Sequence, residues 1–202
     1  NSRDMLCKKY GLDSNRKYFV FVGRLVPQKA PMDLLKLIKL MIEDGGIDFH
    51  FVLVGSGELN EDVEKYIKNN RLSDFITRFD YIDNTFEISM ISEAIVFTSL
   101  YEGLSIALLE ALSVGIPGIS TDVGETKVIF DKYQNGMTFK TIGNIDEYLS
   151  TFKIFLKNLE YYKSNAQQYA HQIAFDFSAD CISTQYLECF GRAIDNRRKV
   201  SL

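Results

Sequence analysis

The sequence is poor in pairable cysteines, basic clusters and long apolar runs, and each shortage removes a class of protein. Its three cysteines, Cys7, Cys181 and Cys189, form no metal-ligand spacing and leave an odd count, so reduced thiols and a cytoplasmic setting are expected rather than a disulfide scaffold. No apolar run approaches the ~18 residues that a membrane-crossing helix needs, and no signal peptide is recognisable. The net charge of −4, with no basic run and no patch of interleaved aromatic and basic residues, argues against nucleic-acid binding. The short basic tail, Arg192 and Arg197-Arg198-Lys199, reads as a solvated terminus. The two histidines, His50 inside a strand and His171 in a late helix, read as structural.

What is present describes a globular chain. Its 202 residues are 46% hydrophobic and 25% charged, enough for one domain over residues 1–202 that buries about 70% of its unfolded surface. Beginning with Asn rather than Met, it reads as a domain of a longer protein. Lys17 to Gly23 and Phe49 to Gly55 are nearly continuous apolar strands, the kind buried on both faces of a parallel sheet. Ile76 to Ile82, Ala94 to Phe97, Gly118 to Thr121 and Gly136 to Phe139 make four more. Between them lie a short helix over residues 3–10, a helix opened by Pro31 and stopped at Gly45-Gly46, one from about Asn60 to Asn70, and a short one near Phe86 to Ser92. Helices follow near residues 145–157, 160–174 and 178–195, the last with Ser178 as N-cap. Strands alternating with helices predict a doubly wound, Rossmann-like parallel sheet of about six strands with helices on both faces. Ligands of such sheets bind outside the carboxyl ends of the strands, where Gly23-Arg24, Gly55-Ser56-Gly57, Tyr81-Ile82 and Glu102-Gly103 all fall.

The stretch from Ser99 to Glu125 organises this edge. A strand ends, a loop carries Glu102-Gly103, and a helix follows that is apolar on nearly every side yet holds Glu110. Such a helix is expected to be buried. A carboxylate inside it needs a partner, either a backbone amide or lysine of the protein itself or a ligand. Arg24 offers a planar fork for anionic oxygens and Lys29 a point charge, and one loop presents both. Alone, each reads as a surface charge after a strand, and the facing Glu102-Gly103 loop favours a shared anion site.

Glu102 and Glu110, with seven residues between them inside EGLSIALLEALSVGIPGISTD, resemble the signature of the large family of retaining nucleotide-sugar glycosyltransferases with the GT-B fold, the group 1 or family-four type. Gly23-Arg24-Leu25-Val26-Pro27-Gln28-Lys29 is similar to that family's phosphate-binding GRLxxxKG segment. The resemblance covers nearly the whole chain but only the C-terminal, donor-binding half of the family's enzyme. It implies that Arg24 and Lys29 stabilise the leaving diphosphate and that Glu102 bonds hydroxyls of the donor sugar. Backbone amides at Leu104, Ser105 and Ile106, beside Gly103, approach the phosphates, and Glu110 holds the ribose hydroxyls. Gly23 opens the phosphate-binding segment, Gly55 and Gly57 leave space for the ligand, and Tyr81 and Ile82 flank the base.

The resemblance implies no cofactor: the donor substrate is a UDP-, GDP- or ADP-linked sugar, moved without a metal to a saccharide or lipid-linked acceptor, in surface-polysaccharide synthesis. The acceptor site belongs to an N-terminal domain that these residues lack, and the helix near 178–195 is expected to pack on it. This chain alone is expected to turn over little. The full-length protein is expected in the cytoplasm, either free or at the inner face of the membrane, without a transmembrane segment.

Three departures from the family pattern stand out. Ala30-Pro31 replaces the glycine usual after the motif lysine, Gly124-Glu125 stands for Gly-Gly, and Leu104-Ser105 replaces an aromatic and a glycine. A nicotinamide oxidoreductase is disfavoured because no GxGxxG opens the first helix and Gly55-Ser56-Gly57 lacks the third glycine. A GT-B nucleotide-sugar epimerase and a non-catalytic nucleotide-binding module remain as alternatives.

Overall fold

The structure is a computed structural model that describes residues 2–200, and the side chains of residues 2–194; Arg197-Arg198-Lys199 fall outside the described side chains. Among these residues the chain alternates α1 (Ser2–Lys9), β1 (Lys17–Val22), α2 (Pro31–Glu43), β2 (Phe49–Val54), α3 (Asn60–Asn69), β3 (Ile76–Phe79), α4 (Thr85–Met90) and β4 (Ala94–Phe97). It continues with α5 (Ile106–Ser113), β5 (Gly118–Thr121), α6 (Thr126–Tyr133), β6 (Gly136–Phe139), α7 (Ile145–Lys157), α8 (Leu159–Asp176) and α9 (Ala179–Val200). The six strands form one parallel sheet in the order β3-β2-β1-β4-β5-β6, the doubly wound order that the alternation predicts. Its longest pairing runs from Lys17 opposite Phe49 to Val22 opposite Val54.

The central strands are buried on both faces. Successive strand residues point to opposite sides. Phe19, Phe21, Phe51 and Leu53 therefore join α2 (Leu34, Leu35, Ile38) and α7 (Phe152, Phe155) in the larger core. Tyr18, Val20, Val52 and Val54 meet Cys7 of α1 and Ile88 of α4 in a smaller one. Helix α5 packs beside α4 and along α8. Among the described residues no helix is long and apolar enough to cross a membrane.

Several boundaries differ from the sequence reading. β3 stops at Phe79, three residues short of the expected end, because the Gly55 amide bonds the Phe79 carbonyl (2.8 Å) as the last rung and both chains then turn. Tyr81 and Ile82 therefore lie in a loop. α4 starts at Thr85, where the Asn84 side chain caps the Phe86 amide at 3.1 Å. Helix α6 was not expected at all. It lacks a side-chain cap at Glu125 and ends on Gln134 in the left-handed region (φ 51°), so neither terminus carries the usual signal. The last helix begins as expected, with Ser178 Oγ accepting from the Cys181 amide (3.2 Å), and runs on to Val200.

Candidate functional site

The sheet reverses its winding between β1 and β4, and the loops leaving the carboxyl ends of these two strands are joined there by hydrogen bonds and an ion pair. The loop after β1 is fastened on both sides. Towards β2, the Leu25 amide donates to the Ser56 carbonyl (3.0 Å), and the Leu59 amide donates to the Leu25 carbonyl (2.9 Å). The approach is so close that a Cβ at Gly55 (φ 137°) would fall 2.0 Å from the Gly23 oxygen, and one at Gly57 would fall 2.4 Å from the Leu25 oxygen. The lack of a side chain at these two glycines is thus required by the close approach of the neighbouring loop's backbone. Towards β4, the Leu100 amide bonds the Gln28 carbonyl (2.8 Å), and Thr98 Oγ1 donates to the Ala30 carbonyl (2.9 Å). Ala30 itself sits in the left-handed region (φ 44°), a conformation that favours the glycine usual in the family.

These bonds place Lys29 opposite Glu102. Lys29 Nζ forms an ion pair with Glu102 Oε1, and Ser99 Oγ donates to the same oxygen at 3.0 Å. Both partners are largely withdrawn from water, with side chains 16% and 11% exposed. The stem of Lys29 crosses Gly23, passing 3.7 Å from where a Cβ would stand. The loop bearing Glu102 is itself pinned from β5. Gly124 (φ 53°) lies so close that a Cβ there would fall 2.1 Å from the Gly103 oxygen, and the Glu125 amide donates to that oxygen (3.0 Å). Thr121 Oγ1 donates to the Ser99 carbonyl at 2.6 Å.

Arg24, by contrast, is exposed, and among the described residues its side chain has no hydrogen bond or ion pair. It lines a cavity of about 280 Å³ together with Gly23, Gly55, Tyr81, Ile82 and Thr85. A free guanidinium at a cavity mouth is available to an anion.

Helix α5 starts beyond Leu104, with Ser105 as its N-cap: its buried hydroxyl accepts from the Leu108 amide at 3.4 Å. The expectation that this helix is buried all round is corrected. Ile106 is 64% exposed and Glu110 only half-buried, because their side of α5 borders an open apolar cavity of about 260 Å³ with Phe86 and Phe177 on its other wall. Glu110 has a protein partner that the sequence did not reveal: Thr85 Oγ1 on α4 donates to its Oε2 at 2.9 Å. A neighbouring apolar hollow of about 500 Å³ lies between the start of α5 and α9, where Tyr186, Leu187 and Phe190 face outwards.

The histidines stand apart from this edge. His50 lies near the amino end of the sheet, beside Tyr18 in the register of β1. Its Nδ1 faces the Arg16 guanidinium (3.2 Å), which can only donate, so Nε2 carries the proton given to Thr77 Oγ1 (2.8 Å). Burial and the Arg16 charge hold its pKa below the ordinary imidazole value. His171 belongs to α8. Among the described residues no group of three His, Cys, Asp or Glu side chains is placed to hold a metal ion.

Comparison with known proteins bears on the arrangement as a whole. The family model described as Glycosyl transferases group 1 matches residues 2–172. The chain belongs to the group 1 glycosyltransferases. Within that family it is 32% identical over 152 residues to the Escherichia coli UDP-Gal:alpha-D-GlcNAc-diphosphoundecaprenol alpha-1,3-galactosyltransferase, a match covering 74% of this chain and 39% of the relative. It is 34% identical over 132 residues to the alpha-D-kanosaminyltransferase of Streptomyces kanamyceticus, covering 64% of this chain and 34% of the relative. The chain thus spans little more than a third of these two group 1 relatives. Among solved structures, Anabaena HepE in complex with UDP-glucose superposes with a TM-score of 0.79 at 17% identity, over 95% of this chain and 52% of that one. WaaG, a glycosyltransferase involved in lipopolysaccharide biosynthesis, superposes with a TM-score of 0.75 at 18% identity, over 89% of this chain and 48% of that one. At such identities the superpositions establish the fold: a GT-B, Rossmann-like sheet.

Proposed function

We propose that this chain is the donor-binding domain of a retaining, metal-independent glycosyltransferase that moves a sugar from a nucleoside diphosphate to a saccharide or lipid-linked acceptor in surface-polysaccharide synthesis. The observation that carries the reading is the placement of Arg24, Lys29 and Glu102 on two loops that meet at the winding reversal of the sheet. The printed name of the Escherichia coli relative specifies a UDP-linked sugar and an undecaprenol-linked acceptor, and HepE was solved with UDP-glucose, so UDP-sugars are the first donors to test.

In this reading the diphosphate lies between Arg24 and Lys29, and the amides at Leu104, Ser105 and Ile106 face its oxygens at the positive end of α5. As the bond from the anomeric carbon to the diphosphate breaks, negative charge grows on the leaving oxygen, and the two fixed cations stabilise it in place of a metal. Lys29 changes partner in this step. In the free protein its charge is matched by Glu102, and an arriving diphosphate competes for it. Glu102, released in part, then accepts from hydroxyls of the donor sugar. Glu110 accepts from the ribose hydroxyls, while Tyr81 and Ile82 flank the base above Gly55. The acceptor reaches the sugar from an N-terminal domain that covers the apolar side of α9. The full-length protein works in the cytoplasm, at the inner face of the membrane when the acceptor is lipid-linked.

The test is a calorimetric titration with UDP, GDP and ADP in the absence of metal, run beside Arg24→Ala and Glu110→Ala. Saturable binding of one nucleotide, lost in both folded variants, supports the reading and names the base. Binding that survives Arg24→Ala overturns it.

A further inference from the structure

Thr85 belongs to no motif, yet it occupies the seam of the site. It is the first residue of α4, its helix is fixed in place by the Asn84 cap, and Ser89 Oγ donates to its carbonyl at 3.0 Å. Its hydroxyl is not turned back on its own helix. It crosses to α5 and donates to Glu110 Oε2 at 2.9 Å, and the same residue lines the cavity shared by Arg24, Tyr81 and Ile82. Among the described residues Glu110 Oε1 has no hydrogen-bond partner.

A carboxylate offers roughly four acceptor sites. One donor at Oε2 narrows the range of orientations the group can take and leaves its other acceptor sites open to a ligand. A half-buried Glu without that donor would rotate among several orientations, and a pair of vicinal hydroxyls can be bound by only some of them. We infer that Thr85 is a positioning residue for nucleotide recognition: it orients Glu110 so that the ribose diol of the donor is accepted by a preset carboxylate. This rests on the proposed donor-binding reading and deepens it, because it makes discrimination between ribose and deoxyribose depend on a residue outside every motif.

The experiment measures binding of UDP and 2′-deoxy-UDP, with GDP and 2′-deoxy-GDP in parallel, to the wild type and to Thr85→Val, Thr85→Ala, Thr85→Ser and Arg24→Ala. Each variant's thermal transition is recorded as a check on folding. The wild type is expected to prefer the ribonucleotide by roughly tenfold, the scale of a hydrogen bond to a charged group. Thr85→Val and Thr85→Ala should weaken the ribonucleotide by about that factor and leave the deoxy form nearly unchanged, so that the preference collapses. Thr85→Ser, which keeps the hydroxyl, should retain it. Equal weakening of both forms, or a Val variant with the wild-type preference, overturns the role of Thr85 while the donor site stands if Arg24→Ala still abolishes binding. A wild type that binds none of the four nucleotides overturns both.

Discussion

Lys29 and Glu102, 73 residues apart in sequence, form an ion pair across the two loops at the winding reversal, and Ser99 shares the same carboxylate oxygen. Removing one member leaves the other charge poorly solvated, whereas removing both does not. Lys29→Met is expected to destabilise the domain by about 1–3 kcal/mol in urea unfolding. The double variant Lys29→Met/Glu102→Leu is expected to recover most of that loss in stability while its binding of nucleotide in calorimetry stays weakened. A double variant no more stable than the single one would show that the pair is not a structural unit.

The two glycines that meet at the Glu102 loop are not equivalent. Gly124→Ala brings a methyl against the Gly103 carbonyl in a left-handed conformation that alone costs ~1–2 kcal/mol. It should lower stability by at least that and weaken nucleotide binding by moving Glu102. At Gly103 a Cβ meets nothing within 4 Å, so Gly103→Ala should leave the unfolding midpoint unchanged. Any loss of donor binding in that variant then reports crowding of the ligand, and calorimetry on the two variants separates the effects.

His50 predicts an acid sensitivity of known sign. Its folded pKa lies below the unfolded value, so the neutral ring adds stability above the ordinary imidazole pKa. That stability is lost as the pH falls below it, by up to about 1.4 kcal/mol per pH unit. Urea midpoints at pH 7.5 and pH 5 should fall further apart for the wild type than for His50→Gln. Equal differences would remove His50 as the cause.

Asp176 acts at lower pH. Hydrogen bonds from Lys132 and Tyr133 of α6, and from Gln172, hold its carboxyl at about 2, below the unfolded value near 3.8. The stability it adds is present above the unfolded value and lost as the pH falls through about 2. Because Lys132 is more than half exposed, solvent screening limits the contribution to about 1 kcal/mol. Asp176→Asn should cost that amount at pH 7 and almost nothing near pH 2, in thermal unfolding followed by circular dichroism.

The elements that could be read in advance are those whose cause is local. β1 and β2 announce themselves because strands buried on both faces must be apolar throughout, and α2 because Pro31 and Gly45-Gly46 mark its limits. The order of loops along the sheet edge followed from this alternation. What stayed hidden depends on distant partners. Tyr81-Ile82 read as strand because they are apolar, yet the ladder had already ended at Phe79. Gly55 and Gly57 read as room for a ligand, and the close approach of the loop after β1, which also forbids a Cβ at both, could not be read from their own sequence. Thr85 and Glu110 lie 25 residues apart on two helices, and no spacing rule joins them.

The fastening of the loop after β1 has a consequence for how the site opens. The amides of Leu25 and Leu59 are locked between that loop and the one after β2, and the Leu100 amide ties it to the loop after β4. None of the three can be exposed to solvent without releasing the backbone that carries Arg24 and Lys29. In native-state hydrogen exchange they should therefore share one opening free energy and one response to bound nucleotide, making three strand ends a single cooperative unit.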